Sequence, residues 1–285
     1  MKVAFAGSPA AALPSLGALA AAHEVALVVS QPDRPKGRSR RPSPTPVAEE
    51  AARLGLPLVT PESISAPDEV ARLAATGAEA LCVVAYGQIL RQAVLDLFPC
   101  VNVHFSLLPA YRGAAPVERA IMDGRTRTGI TIMLMDPGMD TGPVVATREV
   151  EIDPGEDAGA LTARLAEAGA PMLVEAVDRL AAGTISATPQ PEEGASLAPR
   201  ITAADRPLDL ELPARVLADR VRALAPHVGA TVTLGGDRLI VWRAAVADAP
   251  EGPVRADDGR LVLATGAGGL ELLEVQPPGR GRMAG

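Results

Sequence analysis

"KVAFAGSPAAALPSLGALAAAHEVALVVS", residues 2–30, sets two short apolar runs on either side of an alanine- and leucine-rich centre. The first run, "KVAFAG", ends in glycine; "PSLGALAAA" suits a helix; "EVALVVS" is a second apolar run. A run apolar at every position, not at alternate ones, is what a strand covered on both faces requires. The stretch therefore predicts strand, helix, strand, the building unit of a parallel sheet. A secretory leader also begins with a lysine, an apolar middle and small residues. Here Gly7, Pro9, Pro14 and Gly17 interrupt the apolar stretch, and the strand–turn–helix reading accounts for them.

The same alternation continues outward. "PVAEEAARLGL" is helical, with Gly55 near its end, and "EALCVVAYG" and "CVNVHFS" are a third and a fourth β-rich run. Pro116 to Asp123 suits a short helix, with proline in the first turn and Gly124 just past the end. "GITIMLMD" adds a strand, and "GALTARLAEAGAPMLVEAVDRLAAG" a long helix stopped by Gly183. Residues 1–187 thus read as an α/β domain, a Rossmann-like, mostly parallel sheet with helices on both faces. Residues 188–206, rich in Pro, Gly and small polar side chains without a sustained period, read as a linker. Residues 207–285 hold one helical stretch, "PARVLADRVRAL", then β runs split by Gly-Gly and Asp-Gly dipeptides. Those dipeptides mark hairpins, so a small C-terminal β-barrel (OB-like) domain is expected. There is no internal repeat.

Aromatics make up only 2% of the chain, so its core must be built from small aliphatic side chains. A formal net charge of -7 argues against a surface that coats nucleic acid everywhere, though not against a local basic patch. Cys82 and Cys100, with no CxxC spacing, fit core thiols of a reduced, cytoplasmic protein. Together with three scattered histidines they compose no recognisable metal site. No segment reaches the roughly 20 unbroken apolar residues that span a bilayer, so no membrane partner is expected.

The fourth strand carries the chemistry. "VNVHFSLLPAYRGAAP" runs from Val101 to Pro116. Residues two apart in a strand face one side, so Asn102, His104 and Ser106 point one way and Val101, Val103 and Phe105 the other. An amide and an imidazole presented together can donate to one oxygen, which is what stabilising an oxyanion in acyl transfer requires. The bland alternative is a half-buried strand whose polar face is merely satisfied. A second element, "MDPGMDTGPVV" from Met135 to Val145, places Asp136 and Asp140 on a loop after an apolar strand. Asp, Gly and Pro are also what ordinary turns use. A carboxylate near His104 would favour the imidazolium, fix its orientation and help move a proton from an attacking amine. Nothing in the linear chain shows that the two loops meet.

Together, "VNVHFSLLPAYRGAAPVERAI" and "GITIMLMDPGMDTGPVV" closely resemble the formyltransferases that use 10-formyltetrahydrofolate. "QPDRPKGRSRRPSPTPVAEEA", "VVAYGQIL" and "VWRA" extend the resemblance over nearly the whole chain, toward those acting on methionyl-tRNA. The resemblance implies that Asn102, His104 and Asp140 are the catalytic trio, with no acyl-enzyme. It implies a folate pocket lined by Ser106, Leu107, Leu108 and Pro109, by Tyr86, Gly87, Ile89 and Leu90, and by Asp136. It implies 10-formyltetrahydrofolate as formyl donor and initiator methionyl-tRNA as acceptor, in a cytoplasmic monomer of translation initiation. Arg34, Lys36, Arg38, Arg40 and Arg41 lie in "QPDRPKGRSRR", on a loop following the second strand. The resemblance makes that loop a contact for the acceptor arm of tRNA, and residues 207–285 a tRNA-binding domain; a solvated charged loop is the alternative.

The chain departs from the family's pattern at Phe105, where a small residue is usual, and at "ALAPHVGA", which replaces a tryptophan-bearing segment. Formyltransferases of nucleotide-linked amino sugars and formyltetrahydrofolate hydrolases share the trio, but need no arginine cluster for tRNA. A non-catalytic folate- or nucleotide-binding regulator on the same fold is the third reading; against its dinucleotide-binding version, "GSPAAALP" lacks G-x-G-x-x-G.

Overall fold

The computed structural model describes residues 1–35, 42–257 and 260–285. In chain order the first elements are β1 (Lys2–Gly7), α1 (Leu13–Ala22), β2 (Glu24–Val29), β3 (Arg34–Pro35), β4 (Pro42–Ser43), α2 (Pro46–Arg53), β5 (Leu58–Val59), α3 (Pro67–Ala75) and β6 (Ala80–Val84). Next come α4 (Gln92–Leu95), β7 (Cys100–His104), α5 (Pro116–Met122), β8 (Arg127–Leu134), β9 (Val144–Glu151) and α6 (Ala158–Ala181). The remainder comprises α7 (Ala214–Leu224), β10 (Ala230–Leu234), β11 (Asp237–Ala247), β12 (Val254–Asp257), β13 (Arg260–Ala264), β14 (Gly269–Gln276) and β15 (Met283–Ala284). The chain folds into two compact units. One contains Met1–Ala114, Gly129–Val150 and Ala163–Leu197; the other contains Ala115–Thr128, Glu151–Thr162 and Ala198–Gly285.

The first unit is built on a seven-stranded sheet in the order β5-β2-β1-β6-β7-β8-β9. β5, β2, β1, β6 and β7 pair in parallel, and β8 runs antiparallel to β7. Every residue of β6 and β7 is buried, as their unbroken apolar runs required. The long helix α6 covers one face. Gly169 on it lies so close to the sheet that an added Cβ would sit 3.1 Å from Val103 and 3.4 Å from Ile130. On the other face, Leu73 of α3 and Val94 of α4 pack with Ala4, Ala6, Leu27, Val29, Leu81, Val83 and Cys100. Strand alternation therefore turns Val103 to α6 and puts Asn102 and His104 on the opposite side.

The second unit holds an antiparallel sheet in the order β10-β11-β14-β13-β12, with β15 on β14. Among the described residues no pairing joins β10 to β12, so the described sheet is a half-barrel, in keeping with the barrel-like second domain expected. Gly235 and Gly236, with φ of 57° and 90°, supply the two left-handed positions of the β10–β11 hairpin. Leu217, Val221 and Leu224 of α7 pack against Val232, Val241, Leu263, Leu270 and Leu272 of that sheet.

Candidate active site

β7 carries Asn102 and His104 to its carboxyl end, where they are only 7% and 6% exposed. The Nε2 of His104 lies 2.9 Å from the backbone oxygen of Tyr111. A carbonyl only accepts, so Nε2 carries hydrogen and donates it. The other nitrogen, Nδ1, faces Oδ2 of Asp140 at 3.7 Å. That is too long for a direct hydrogen bond, but within ion-pair distance when the ring carries a charge. Neutral His104 therefore shows a lone pair on the Asp140 side, and protonated His104 shows an N–H there.

The route by which Asp140 reaches this place is not the one a simple strand-end picture gives. Because β8 is antiparallel to β7, Leu134 sits beside Val101 and Thr131 beside His104. The Met135–Pro143 loop thus starts at the amino end of β7 and must double back to bring Asp140 to His104. Asp140 occupies the left-handed region at φ 54°. Its Oδ2 accepts the N–H of Gly113 at 2.8 Å. Two glycines permit the fold-back. An added Cβ at Gly138 would lie 1.9 Å from the Thr141 hydroxyl, and at Gly142 1.9 Å from the Leu134 carbonyl. Asp136 is occupied inside the loop, accepting from the Thr141 hydroxyl at 2.7 Å and the Gly138 N–H at 3.1 Å.

Of the other expected site residues, Ser106 is fully buried and donates to the Ala110 carbonyl at 2.6 Å, a turn-building bond. Leu108 is buried, while Leu107 and Pro109 are half-buried. Tyr86 and Leu90 are buried in the sheet-face cluster, and the Tyr86 carbonyl accepts from Ser8 and Gln31, both at 3.1 Å. Gly87 holds a left-handed φ of 82° and Ile89 projects 84% exposed. Ile89 thus offers apolar surface beyond the carboxyl end of β6. Arg34 is exposed and faces Glu62 at 3.9 Å. Lys36, Arg38, Arg40 and Arg41 lie outside the described residues.

Four positions come to the site without having been expected from the sequence. Thr131, fully buried on β8, donates to the Ser106 carbonyl at 2.7 Å and accepts from Leu108 N–H at 3.1 Å. Arg112 donates to Gln190 Oε1 from Nε at 3.0 Å and from Nη2 at 2.8 Å. Gln190 in turn donates to the backbone oxygens of Asp140 at 2.8 Å and Gly142 at 2.7 Å. Ser196 accepts from the Tyr111 N–H at 2.9 Å. Thr131 had a signal, a polar residue in an apolar run. Gln190 and Ser196 had none, since they stand in a stretch whose composition reads as a linker. Covalent catalysis by thiol is out of reach, because burial pushes Cys82 and Cys100 up to about 12.

The family described as formyl transferase matches residues 1–177, and its C-terminal domain matches residues 200–285. A methionyl-tRNA formyltransferase of Solibacter usitatus (strain Ellin6076) is 45% identical, covering 99% of this chain and 93% of its own. One of Aromatoleum aromaticum is 46% identical, with 100% of this chain and 92% of its own covered. Among solved structures, an N-formyltransferase from Helicobacter canadensis superposes with a TM-score of 0.72 at 16% identity, over 97% of this chain and 99% of its own. That structure, obtained with folinic acid and dTDP-3-aminofucose, speaks to the fold alone.

Proposed function

Since this chain belongs to the formyl transferase family in both its amino- and carboxyl-terminal parts, we propose that it formylates the α-amine of methionine on initiator methionyl-tRNA. The formyl donor is 10-formyltetrahydrofolate, a substrate held over Ile89 and the loops around Leu107–Pro109. The carrying observation is a His104–Asp140 pair at 3.7 Å, in a chain 45% identical to a relative named for this activity.

The amine attacks the formyl carbon, forming the new C–N bond, and the carbonyl oxygen becomes an oxyanion. The Asn102 amide and Nδ1–H of protonated His104 donate to that oxygen, while Asp140 stabilises the imidazolium. The amine's proton passes by way of the Asp140 carboxylate to the folate nitrogen, which departs as its bond to the formyl carbon breaks. Nε2 takes no part, being committed to the Tyr111 carbonyl. The basic stretch of Arg34, Lys36, Arg38, Arg40 and Arg41 grips tRNA phosphates. Residues 207–285 form the second tRNA-binding part, in a monomeric cytoplasmic enzyme. Sugar-formylating proteins share the fold at 16% identity, which carries no acceptor with it.

The deciding experiment offers the chain charged initiator tRNA and 10-formyltetrahydrofolate. Wild type should yield formylmethionyl-tRNA, and His104→Ala should lose about 10²-fold or more in kcat, as loss of an oxyanion donor does. Unaltered turnover by that variant overturns the mechanism.

A further inference from the structure

We propose that the Gln190–Ser196 segment is a bracket that sets His104 and Asp140 relative to each other, with Gln190 and Ser196 as positioning residues. The proposal rests on the formyl-transfer reading of the site and adds how its two ionisable members are held.

Gln190 uses its side-chain amide in full. An amide has two N–H donors and an oxygen with two lone pairs. Both donors go to the Asp140 loop, at Asp140 and Gly142, and the oxygen takes two bonds from Arg112. Asp140 needs such a hold. At φ 54° it sits where a non-glycine residue is sparsely stable unless its surroundings impose it. The geometry also selects the residue type: a glutamate keeps the Arg112 bonds but cannot donate to carbonyls, and an asparagine is one methylene short of spanning both partners.

Ser196 works on the histidine. Its hydroxyl accepts from Tyr111 N–H at 2.9 Å, and its backbone brackets the same turn through Pro109 O at 3.3 Å and Arg112 N at 2.8 Å. Tyr111 is itself left-handed, at φ 61°. In that conformation its carbonyl meets His104 Nε2 at 2.9 Å. Gly113 completes the circuit, donating to Oδ2 of Asp140 at 2.8 Å. Three consecutive residues, Tyr111, Arg112 and Gly113, thus touch His104, Gln190 and Asp140 respectively.

The test uses the full chain with Gln190→Ala, Gln190→Glu, Ser196→Ala and Ser196→Thr, each also combined with Asp140→Asn. Gln190→Ala and Gln190→Glu should lower kcat about 10- to 100-fold with KM for both substrates little changed, the penalty of a displaced catalytic group. In the Asp140→Asn background the further loss should shrink below about 3-fold, because there is no carboxylate left to place. Ser196→Ala should follow the same pattern, and Ser196→Thr, which keeps the hydroxyl, should restore most activity. Equal losses in both backgrounds, a rise in KM with kcat kept, or full kcat in Gln190→Glu overturns the bracket. Should Gln190→Ala fail to fold, Gln190→Glu keeps the bulk and the Arg112 partner and carries the test. A readout without substrate separates this idea from the reaction. Ring ¹⁵N spectra of His104, recorded at a pH high enough to keep the ring neutral, should show the Nε2–H tautomer in wild type and a mixture in Ser196→Ala; identical spectra there sink the proposal. Wild type that never formylates methionyl-tRNA sinks the reaction instead.

Discussion

A single ring nitrogen decides what His104 can do. With Nε2 given to Tyr111, only Nδ1 faces the Asp140 side, so in the proposed mechanism one atom would serve both the oxyanion and the carboxylate. The polar alternation of β7 made Asn102 and His104 legible, because strand geometry converts a two-residue spacing directly into a shared face. The commitment of Nε2 was not legible, since it depends on a left-handed Tyr111 that no residue type announces. Gly142 shows the same limit from the other side. A glycine in a turn is ordinary, but here a methyl group would collide with the Leu134 carbonyl. Gly142→Ala should therefore shift the loop that bears Asp140. We expect about 1–3 kcal/mol of lost stability and a kcat at least 10-fold lower. Thermal unfolding beside steady-state kinetics checks both; a variant with wild-type melting and turnover would mean the loop yields freely.

At the level of elements, long strong signals were read and short or irregular ones were not. β1, β6, β7, β8 and α6 follow their apolar patterns closely, while α3, the short β3–β4 pairing and β9 go beyond the sequence reading. No residue of β9 is buried and it carries Arg148, Glu149 and Glu151, so it lacks the apolar run that marks a buried strand. The antiparallel sense of β8 is a second thing that periodicity cannot supply, and it decides from which end the Asp140 loop arrives. The tight seat of α6 on β7 also yields a prediction. Gly169→Leu should force the helix off Val103, costing about 1–3 kcal/mol by overpacking and disturbing the strand that holds Asn102 and His104. Equilibrium denaturation with a parallel activity assay reads it; unchanged stability would show a looser seat. In the second unit, Arg119 of α5 donates to Asp205 at 2.6 Å. That bond, above all, lowers the Asp205 carboxyl to about 2 from 3.8. A depressed carboxylate adds stability above its unfolded value, and loses it as pH falls through its folded value. Asp205→Asn should accordingly cost about 1 kcal/mol at neutral pH, a discounted figure for a pair in contact with solvent, and progressively less as pH falls through and below about 2. An equal deficit across that range would assign the loss to packing instead.

Over the whole molecule the net charge is -7, yet Arg34, Lys36, Arg38, Arg40 and Arg41 sit within eight residues with Asp33 outside the run as the nearest acid. An acidic protein that acts on a polyanion must confine its attraction to a small region, and it keeps long-range repulsion elsewhere. Such a contact releases counterions, so its binding constant falls with salt by roughly 0.7–0.9 logarithmic units per phosphate neutralised. Replacing Arg38, Arg40 and Arg41 together should flatten the slope of log K for initiator tRNA against log salt by about 2–3. On the proposed role of these side chains, which is to hold the acceptor and not the reacting atoms, the same triple variant should keep its kcat at saturating tRNA. Filter binding from low to moderate salt, followed by single-turnover formylation at saturation, measures the two quantities separately. A slope that stays at the wild-type value would make the basic run a solvated loop and move the acceptor grip to the second unit. A normal slope change with a collapsed kcat would instead show that these arginines help place the amine, so that affinity and chemistry draw on one loop.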